Sequence, residues 1–401
     1  MARKAELPSL RNETWLRDKH LQKVMSILNN EDGEVRVVGG AVRNALLGLA
    51  VADVDLATTH LPQDVMRLCK AAKFGFHPIG IDHGTVTITH GSGVFEVTTL
   101  RRDVATDGRR ATVEYSRNWA ADASRRDFTM NAIYCDNDGK CYDYTNGYAD
   151  ILIRKVRFVG AADVRIKEDY LRILRFFRFH AAFGKGAPEK AGLSACIALK
   201  DGIKSLSVER IRQEFLKLLV APRAFQTLRL MADVGILEVI VPYTDEWRVL
   251  KRLPADALLR LFVLADNPGN LPEALRLSNA QAKRLATLAG LPRVSPALRE
   301  REQKSLLYAL GAEAFADAVH LSLARCKDKL DSPEWRQLLQ LPKRWSIPNF
   351  PVKGDDIKSV GIAVGPQLGQ ILRELEDWWL ASDFKPGREE LLQHLRDQYG
   401  K

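Results

Sequence analysis

The first part of the chain alternates short apolar runs with segments of helical spacing. Up to about residue 155, β-branched runs separated by Gly and Asp occupy residues 35–38, 84–89 and 94–99. Runs of this kind are typical of strands, whereas residues 65–73 have the spacing of a helix. The pattern therefore predicts a mixed sheet with helices in this part of the chain.

Beyond about Asp163 the strand pattern ends and helical spacing takes over. Tyr170, Ile173, Leu174 and Phe177 fall at i, i+3, i+4 and i+7, which places them on one face of a helix. Gly- and Pro-containing breaks then separate further helical stretches. We expect a head at 1–160, a helical neck at 161–220 and a helical body and tail at 221–401.

Composition narrows the class of protein. The 401 residues are 46% hydrophobic and 27% charged, which is typical of a globular protein of two or three units. Sixty Lys and Arg against 50 Asp and Glu give a net charge of +10, which favours a polyanionic partner. Secretory and membrane-spanning segments are not predicted, because the apolar runs are too short. The five cysteines form no C-x-x-C pair, so neither zinc nor disulfides are indicated, and a cytoplasmic protein is expected.

A glycine turn is the first candidate for chemistry. Residues 37–43 (VVGGAVR) run from a predicted strand through Gly39 and Gly40 into a helix that carries Arg43. Such a turn lets an anion approach the backbone, and the arginine adds charge, so the segment is a candidate triphosphate site. The alternative is an ordinary tight turn.

Asp53 and Asp55 follow about ten residues later in an apolar setting that favours a strand. Residues two apart on a strand share a face, and two such carboxylates need cations to neutralise them. Together they predict a two-metal centre for phosphoryl transfer, although most D-x-D sequences are surface turns. Glu96 is either a third carboxylate at this centre or a solvated residue at a sheet edge.

Residues 125–133 (RRDFTMNAI) combine cations, an acid and an amide. Arg126 is suited to hold phosphate, and Asp127 and Asn131 carry groups that can bond a ribose hydroxyl. A surface cluster of ion pairs is the alternative.

Asp169, Arg172, Arg175 and Arg178 recur every third residue beside apolar positions. On one helix they would form a polar ridge, the alternative being a solvated charged face. An Asp and an Arg one turn apart offer an acceptor beside a donor. Cytosine and adenine offer the matching pattern, whereas uracil and guanine do not.

In combination these motifs resemble the bacterial-type (class II) CCA-adding tRNA nucleotidyltransferases and the related poly(A) polymerases. The motifs that carry the resemblance are GGAVR at 39–43, DVD at 53–55, RRDFTMNAI at 125–133, EDYLRILRFFRF at 168–179 and SVERIRQEF at 207–215. The resemblance implies an α+β fold with a polymerase-β-like head followed by an all-α neck and body. It also implies addition of C, C and A from CTP and ATP to the tRNA 3′ end, with release of pyrophosphate and no obligate protein partner.

The same resemblance implies roles for individual residues. Gly40 and Arg43 would contact nucleotide phosphate, Asp53 and Asp55 would hold Mg²⁺, and Arg126 would bind the nucleotide. Asp169 and Arg172 would read the base, and Arg175 and Arg178 would complete the site.

One position departs from the family pattern, and several segments have two interpretations. Asn44 stands where the family often has Asp, which we expect to be tolerated. Residues 103–117 resemble the loop that full CCA addition needs, but also suit a plain hairpin connection. The Arg299, Arg301 and Lys304 cluster is a candidate RNA contact or a solvated helix face, and residues 361–366 are a phosphate-binding turn or core.

Three other functions remain open on the sequence alone. The first is a poly(A) polymerase, and the second is a partial CC- or A-adding enzyme. The third is a catalytically silent RNA-binding protein, against which the intact Asp53 and Asp55 pair argues.

Overall fold

The computed structural model describes residues 6–107, 110–359 and 366–399. The chain divides into two compact units, Met1–Pro242 and Tyr243–Lys401. The first unit holds the strands, and the second is helical.

The strands of the first unit form one large sheet and one hairpin. In chain order they are β1 Val35–Val38, β2 Asp55–Thr58, β3 Gly75–His77, β4 Thr85–His90, β5 Gly93–Thr99, β6 Arg101–Asp107, β7 Arg110–Tyr115, β8 Ile133–Cys135 and β9 Cys141–Asp143. The large sheet has the order β3-β4-β5-β2-β1-β8-β9, and β6 pairs with β7 alone. Within the large sheet β2 and β5 are parallel, whereas the other pairs are antiparallel.

The helices of the first unit cover the sheet and continue beyond it. They are α1 Lys19–Leu28, α2 Gly40–Leu46, α3 Pro62–Ala71, α4 Trp119–Ser124, α5 Gly147–Leu152, α6 Ala162–Glu168, α7 Leu171–Phe183, α8 Lys190–Ala198, α9 Val208–Leu219, α10 Ala224–Asp233 and α11 Leu237–Ile240. Around the site described below, the core packs Val38 of β1 against Ala57, Trp119 and Tyr134. This apolar layer holds the ends of β1 and β2 in place.

The second unit is built from helices around two buried clusters. They are α12 Trp247–Arg252, α13 Ala257–Leu264, α14 Leu271–Ala274, α15 Asn279–Ala289, α16 Glu300–Arg325, α17 Pro333–Arg344, α18 Gly354–Ser359, α19 Pro366–Ala381 and α20 Arg388–Tyr399. One cluster contains Phe315 and Trp335, and the other contains Trp379 and Leu391.

Helix α16 is long and apolar enough to cross a membrane by length and composition. Gly311 has φ 76° and ψ 168°, so the helix is broken there. Each half is shorter than the roughly 20 residues that a span needs. Leu307 and Phe315, on either side of the break, are fully buried among other side chains. We therefore interpret α16 as a pair of core helices.

The predicted fold class is confirmed, since a mixed sheet precedes a long helical region. Two local predictions were wrong. The strand begins at Asp55, so Asp53 lies before β2 rather than within it. The predicted helix through 168–178 is interrupted, because Asp169 has extended backbone (φ −159°, ψ 106°) between α6 and α7. The three-part division into head, neck and body stays a prediction.

Asp317 provides a test of packing in the second unit. It is 5% exposed and accepts two hydrogen bonds from Arg284, at 3.0 and 2.8 Å. Asp317→Ala should lower the free energy of unfolding by about 2–3 kcal/mol, because Arg284 loses a buried partner. Urea unfolding followed by tryptophan fluorescence measures this loss.

Glu313→Ala is the matched control, since Glu313 also pairs with Arg284 but is 78% exposed. It should change stability by less than about 0.5 kcal/mol. Equal losses in the two variants would contradict the buried-pair explanation.

Candidate active site

The glycine turn after β1 requires glycine at position 39 and not at position 40. Gly39 has φ 77° and ψ −120°, a conformation that L side chains rarely adopt, whereas Gly40 begins α2 in ordinary helical geometry. A side chain at 39 would come within 3.9 Å of Arg126 and of the Asn131 carbonyl. The turn therefore lies beside the 125–131 segment.

Three carboxylates line one cavity at the start of β2. Asp55 lies opposite Glu96 in the parallel β2–β5 pairing and opposite Val38 in the β1–β2 pairing. Asp53, just before the strand, lines the same cavity as Asp55 and Glu96. Because β5 lies between β4 and β2, Glu96 is not at a sheet edge. The edge position was wrong, but the side chain of Glu96 is exposed, as that alternative expected.

Asp55 and Glu96 separate two cavities of opposite character. The larger, about 640 Å³, is also lined by Asp18, Asp53 and Trp15. The smaller, about 280 Å³, is lined by Arg101, Arg125 and Arg126. The carboxylates therefore have an acidic, aromatic cavity on one side and a cationic cavity on the other.

The surroundings of Asp55 raise its pKa. Burial is the largest cause, and the charges of Glu96 and Asp53 add to it, while Arg126 opposes it. Since a bound cation would favour the ionised form, this carboxylate is suited to meet positive charge. Among the described residues, no three Asp, Glu, His or Cys side chains form a metal-binding group by themselves.

Arg126 is held rigidly beside the glycine turn. Its Nη2 donates to Asp122 at 3.0 Å and its Nε donates to the Tyr134 hydroxyl at 3.0 Å. Asp122 is fully buried and also accepts from Tyr134 and Arg125, at 2.7 and 2.6 Å. Burial opposes ionisation of Asp122, but the two arginines and Tyr134 hold its pKa below the ordinary value.

Asp127 is the centre of a second network. Its Oδ1 accepts from the Phe128 amide at 2.8 Å and from Asn131 Nδ2 at 3.0 Å. Its Oδ2 accepts from Arg175 Nε and Nη2 at 2.8 and 2.5 Å. Although burial alone would raise it, the pKa of Asp127 is lowered by Arg175 and these hydrogen bonds.

The network extends from Asp127 in both directions. Asn131 accepts from Arg43 Nη1 at 2.7 Å, and Arg43 also bonds the Asn44 side chain at 2.8 Å. On the other side Glu214 of α9 accepts from Arg175 at 3.4 Å and from Arg178 at 2.5 Å. The predicted residues Arg43, Asp127, Asn131, Arg175 and Arg178 are therefore brought together by hydrogen bonds.

Arg43 is deep in this network. It is 8% exposed, and its guanidinium lies over the Phe183 ring at 4.1 Å. Burial, together with the charges of Arg178 and Arg175, lowers its pKa to about 10. Asn44, which also donates to the Ala50 carbonyl at 2.9 Å, orients Arg43 without neutralising it.

Asp169 and Arg172 are neighbours but have different side-chain partners. Asp169 accepts from Arg210 of α9 at 2.7 Å and from the Leu171 amide at 3.1 Å. Arg172 donates to the Arg165 carbonyl at 2.7 Å and to Glu168 at 2.5 Å. Both side chains that were predicted to read a base are thus already hydrogen-bonded.

Sequence reasoning missed the partners that orient the predicted residues. They are Asp122, Tyr134, Glu214, Arg210 and Glu168. Their types are ordinary, and two of them, Glu214 and Arg210, lie far along the chain from the residues that they hold. Glu214 and Arg210 fall inside the 207–215 motif and Glu168 begins the 168–179 motif, which were the available signals.

Other predicted features either have ordinary partners within the protein or lie partly outside the described residues. Residues 101–115 form the β6–β7 hairpin, and its tip at 108–109 lies outside the described residues. Residues 361–365 of the glycine-proline turn also lie outside them. In the body cluster, Arg299 bonds Glu302, Arg301 bonds the Ala381 carbonyl and Lys304 pairs with Glu300.

Comparison with known proteins agrees with this geometry. A family model described as the poly A polymerase head domain matches residues 35–157. A second, described as a probable RNA- and SrmB-binding site of polymerase A, matches residues 187–248. The mitochondrial CCA tRNA nucleotidyltransferase 1 of Danio rerio is 36% identical over 390 residues, covering 92% of this chain and 88% of the relative. The chain belongs to the CCA tRNA nucleotidyltransferase family.

Bacterial members of this family are also similar. The CCA-adding enzyme of Streptococcus pyogenes is 31% identical over 380 residues, covering 88% of this chain and 91% of the relative. The crystal structure of the Bacillus stearothermophilus CCA-adding enzyme in complex with CTP has a TM-score of 0.79 and 28% identity, covering 94% of this chain and 96% of that one. The fold of both units is therefore the fold of this family.

The Asp127 network predicts a charge-dependent loss of stability. Asp127→Asn keeps the side-chain shape but removes the charge that faces Arg175, so the protein should lose about 2–3 kcal/mol at pH 7. Because the folded pKa of Asp127 is lowered, its contribution is present above the unfolded carboxyl pKa. It is lost as pH falls below about 4 towards the folded value.

Thermal unfolding of parent and variant at pH 7 and at pH 3 measures both effects. The difference in Tm should be large at pH 7 and smaller at pH 3. A difference that does not change with pH would show that the charge is not responsible.

Proposed function

We propose that this protein adds C, C and A, taken from CTP and ATP, to the 3′ end of tRNA and releases pyrophosphate. Membership of the CCA tRNA nucleotidyltransferase family supports the reaction. The observation that carries the proposal in this chain is that Asp53, Asp55 and Glu96 line one cavity, and that Asp55 and Glu96 also line a cationic cavity. Carboxylates next to clustered arginines suit metal-assisted transfer of a nucleotide from a triphosphate.

The carboxylates fit a divalent cation. The head domain implies a divalent metal in general terms, and we propose Mg²⁺, held by Asp53 and Asp55, with Glu96 as the third carboxylate. Their donors are hard oxygens, and Mg²⁺ commonly takes one or two carboxylates and completes its shell with substrate phosphates and water. Bound here, the ion would neutralise phosphate charge and lower the pKa of the attacking hydroxyl.

Arg126 is proposed to hold the triphosphate. Its guanidinium lines the cationic cavity and lies beside Gly39, where the absence of a side chain leaves room for phosphate. Asp122 and Tyr134 fix its direction, so little side-chain entropy is lost when phosphate binds. Gly40 and Arg43 are proposed to contact the nucleotide phosphate.

Asp127 and Asn131 are proposed to bond a ribose hydroxyl of the nucleotide from a fixed position. Every oxygen and amide group that they would offer to a ribose is already bonded to Arg175, Arg43 or the other member of the pair. The Asn131 amide nevertheless keeps a second N–H, and its oxygen a second lone pair, for a ribose hydroxyl. Arg175 and Arg178 connect this segment to α9 through Glu214.

Asp169 and Arg172 are proposed to select the base. Asp169 would accept from the amino group of cytosine or adenine, and Arg172 would donate to the adjacent ring nitrogen. Uracil and guanine would present a carbonyl to Asp169 and an N–H to Arg172, leaving both unpaired. Arg172 donates to Glu168 and to the Arg165 carbonyl through Nη1 alone, and Asp169 keeps further lone pairs, so both side chains retain groups for a base.

The tRNA is the proposed polyanionic partner of this chain with net charge +10, and no obligate protein partner is invoked. We also propose that the reaction takes place in the cytoplasm. Since the Danio rerio relative is named mitochondrial, localisation of a tagged chain in its source cells distinguishes the two compartments.

Incubation with a tRNA transcript that lacks CCA tests the reaction. The purified protein receives Mg²⁺ and CTP, ATP or both, and the product ends are sequenced. Ordered C, C, A followed by termination is expected. Long A tails with ATP alone would indicate a poly(A) polymerase, and arrest after CC would indicate a partial enzyme. No addition would favour a silent RNA-binding protein.

Asp55→Asn should separate activity from stability. Addition should fall at least about 1,000-fold, because a carboxylate that faces the cation is lost. The folded pKa of Asp55 is raised, so the ionised group at pH 7 costs folding free energy, and Tm should stay equal or rise. Asp64→Asn, which removes another acid of the head, is the activity control. Full activity in Asp55→Asn would contradict the metal assignment.

Asp169→Ala should weaken the choice of nucleotide. Misincorporation of UTP and GTP relative to CTP and ATP should increase at least about tenfold, because an unpaired acceptor no longer penalises their carbonyls. Single-turnover assays with each nucleotide measure the ratio. Asp201→Ala, which removes a 78% exposed acid of the same region, is the control. Unchanged rejection of UTP and GTP would show that the base is read elsewhere.

A further inference from the structure

Three chain segments meet at the C-terminal end of α7. They are residues 152–155 after α5, residues 184–187 between α7 and α8, and Arg223 before α10. The Lys185 amide donates to the Arg154 carbonyl at 3.0 Å, and Lys155 Nζ donates to the Ala187 carbonyl at 3.4 Å. Arg223 Nη2 donates to the Gly186 carbonyl at 3.0 Å. These bonds gather residues that are distant in sequence into one surface.

The surface formed by Leu152, Ile153, Arg154, Lys155, Lys185 and Arg223 is called the Arg154 patch. It carries four cations, and none of its own side chains is acidic. Among the described residues, the side chains of Arg154 and Lys185 have no hydrogen-bonding or ion-pair partner. The Arg223 Nη1 atom is buried and also has no hydrogen-bond partner. The positive charge of the patch is therefore not neutralised by acidic side chains in the part of the chain that the structure describes.

His180 is buried beside these cations and adds no charge to them at neutral pH. Its pKa is lowered to about 4, first by burial and then by the charges of Arg223 and Lys155. At neutral pH it is uncharged. Leu152 and Ile153, which immediately precede Arg154, are 57% and 58% exposed. The patch therefore combines basic and apolar side chains.

The position of the patch also suits a long substrate. Helix α7 has 13 residues, so its two ends are about 20 Å apart. Arg172 lies at the first end and Lys185 just beyond the second. A nucleic acid whose 3′ end is near Arg172 has phosphates within reach of the second end, whereas a free nucleotide does not.

We propose that the Arg154 patch binds the phosphate backbone of the tRNA, with Leu152 and Ile153 against its sugars. This inference rests on the proposed function, since it names the surface that holds the same substrate. The patch extends beyond the matched RNA-binding region at 187–248. Five of its six residues come before that region, and only Arg223 lies within it. The patch would bind tRNA, whereas the carboxylates at the start of β2 would catalyse nucleotide transfer.

Arg154→Gly is the sharpest test, because the two expected effects have opposite directions. Arg154 has φ 54°, a left-handed conformation that glycine adopts at lower cost. The variant should therefore keep or raise Tm while it weakens RNA binding. Lys73→Gly is the matched control, since Lys73 is exposed, follows a helix of the same unit and has φ 59°.

The measurement is the Kd of the full chain for a tRNA transcript lacking CCA, at several salt concentrations. Kd should rise several-fold in Arg154→Gly and further in Arg154→Gly with Lys185→Gln. The slope of log Kd against log salt should fall by about one for each cation removed. In CCA addition, KM for tRNA should rise while kcat stays within about twofold. Lys73→Gly should raise Tm with no change in Kd.

Unchanged Kd and salt slope in the double variant would overturn the patch. A rise in Kd for tRNA that the Lys73→Gly control shares would also overturn it. Binding of the parent to phosphatidylserine vesicles that the double variant loses, with tRNA affinity retained, would assign the surface to a membrane and overturn the proposal. If the parent binds tRNA but adds no nucleotide, the proposed function fails, while the comparison of Kd values still decides the patch.

Discussion

The site depends on one carboxylate that is held by four hydrogen bonds. Asp127 receives two of them from its own segment and two from Arg175 of α7, and its side chain is 12% exposed. It therefore connects the turn that follows α4 to the first long helix after the sheet. Without this ion pair, three nearby arginines would repel one another, and the 125–131 segment would lose its fixed position beside Gly39.

Charge in the first unit is distributed unevenly, and the imbalance matches the chemistry. Arg43, Arg175 and Arg178 have two carboxylates, Asp127 and Glu214, between them. The acids at the start of β2 have the opposite excess, since Asp53, Asp55 and Glu96 line one cavity together with Asp18. Each excess costs folding free energy while the site is empty, and a triphosphate with a cation would relieve both. Such strain is a common property of catalytic sites.

The sequence predicted the parts of the site that depend on local pattern. Glycines after an apolar run, a D-x-D pair and arginines every third residue are visible without a structure, as is the change from strand to helix. It did not predict the partners, because Asp122 holding Arg126 and Arg210 holding Asp169 are contacts between ordinary residue types. It also extended regular structure too far, since Asp53 and Asp169 both lie where the backbone leaves the strand or helix.

The parallel pairing of β2 with β5 has a consequence for how such a chain tolerates change. Asp55 stands opposite Glu96 by backbone register alone, yet residues 59–92 between them form a crossover through α3, β3 and β4. A parallel pair sets no limit on the length of its connection, unlike a hairpin, whose turn determines the register. Insertions in this crossover would leave the spacing of the two acids intact, so the loops there are free to diverge while the acids remain paired.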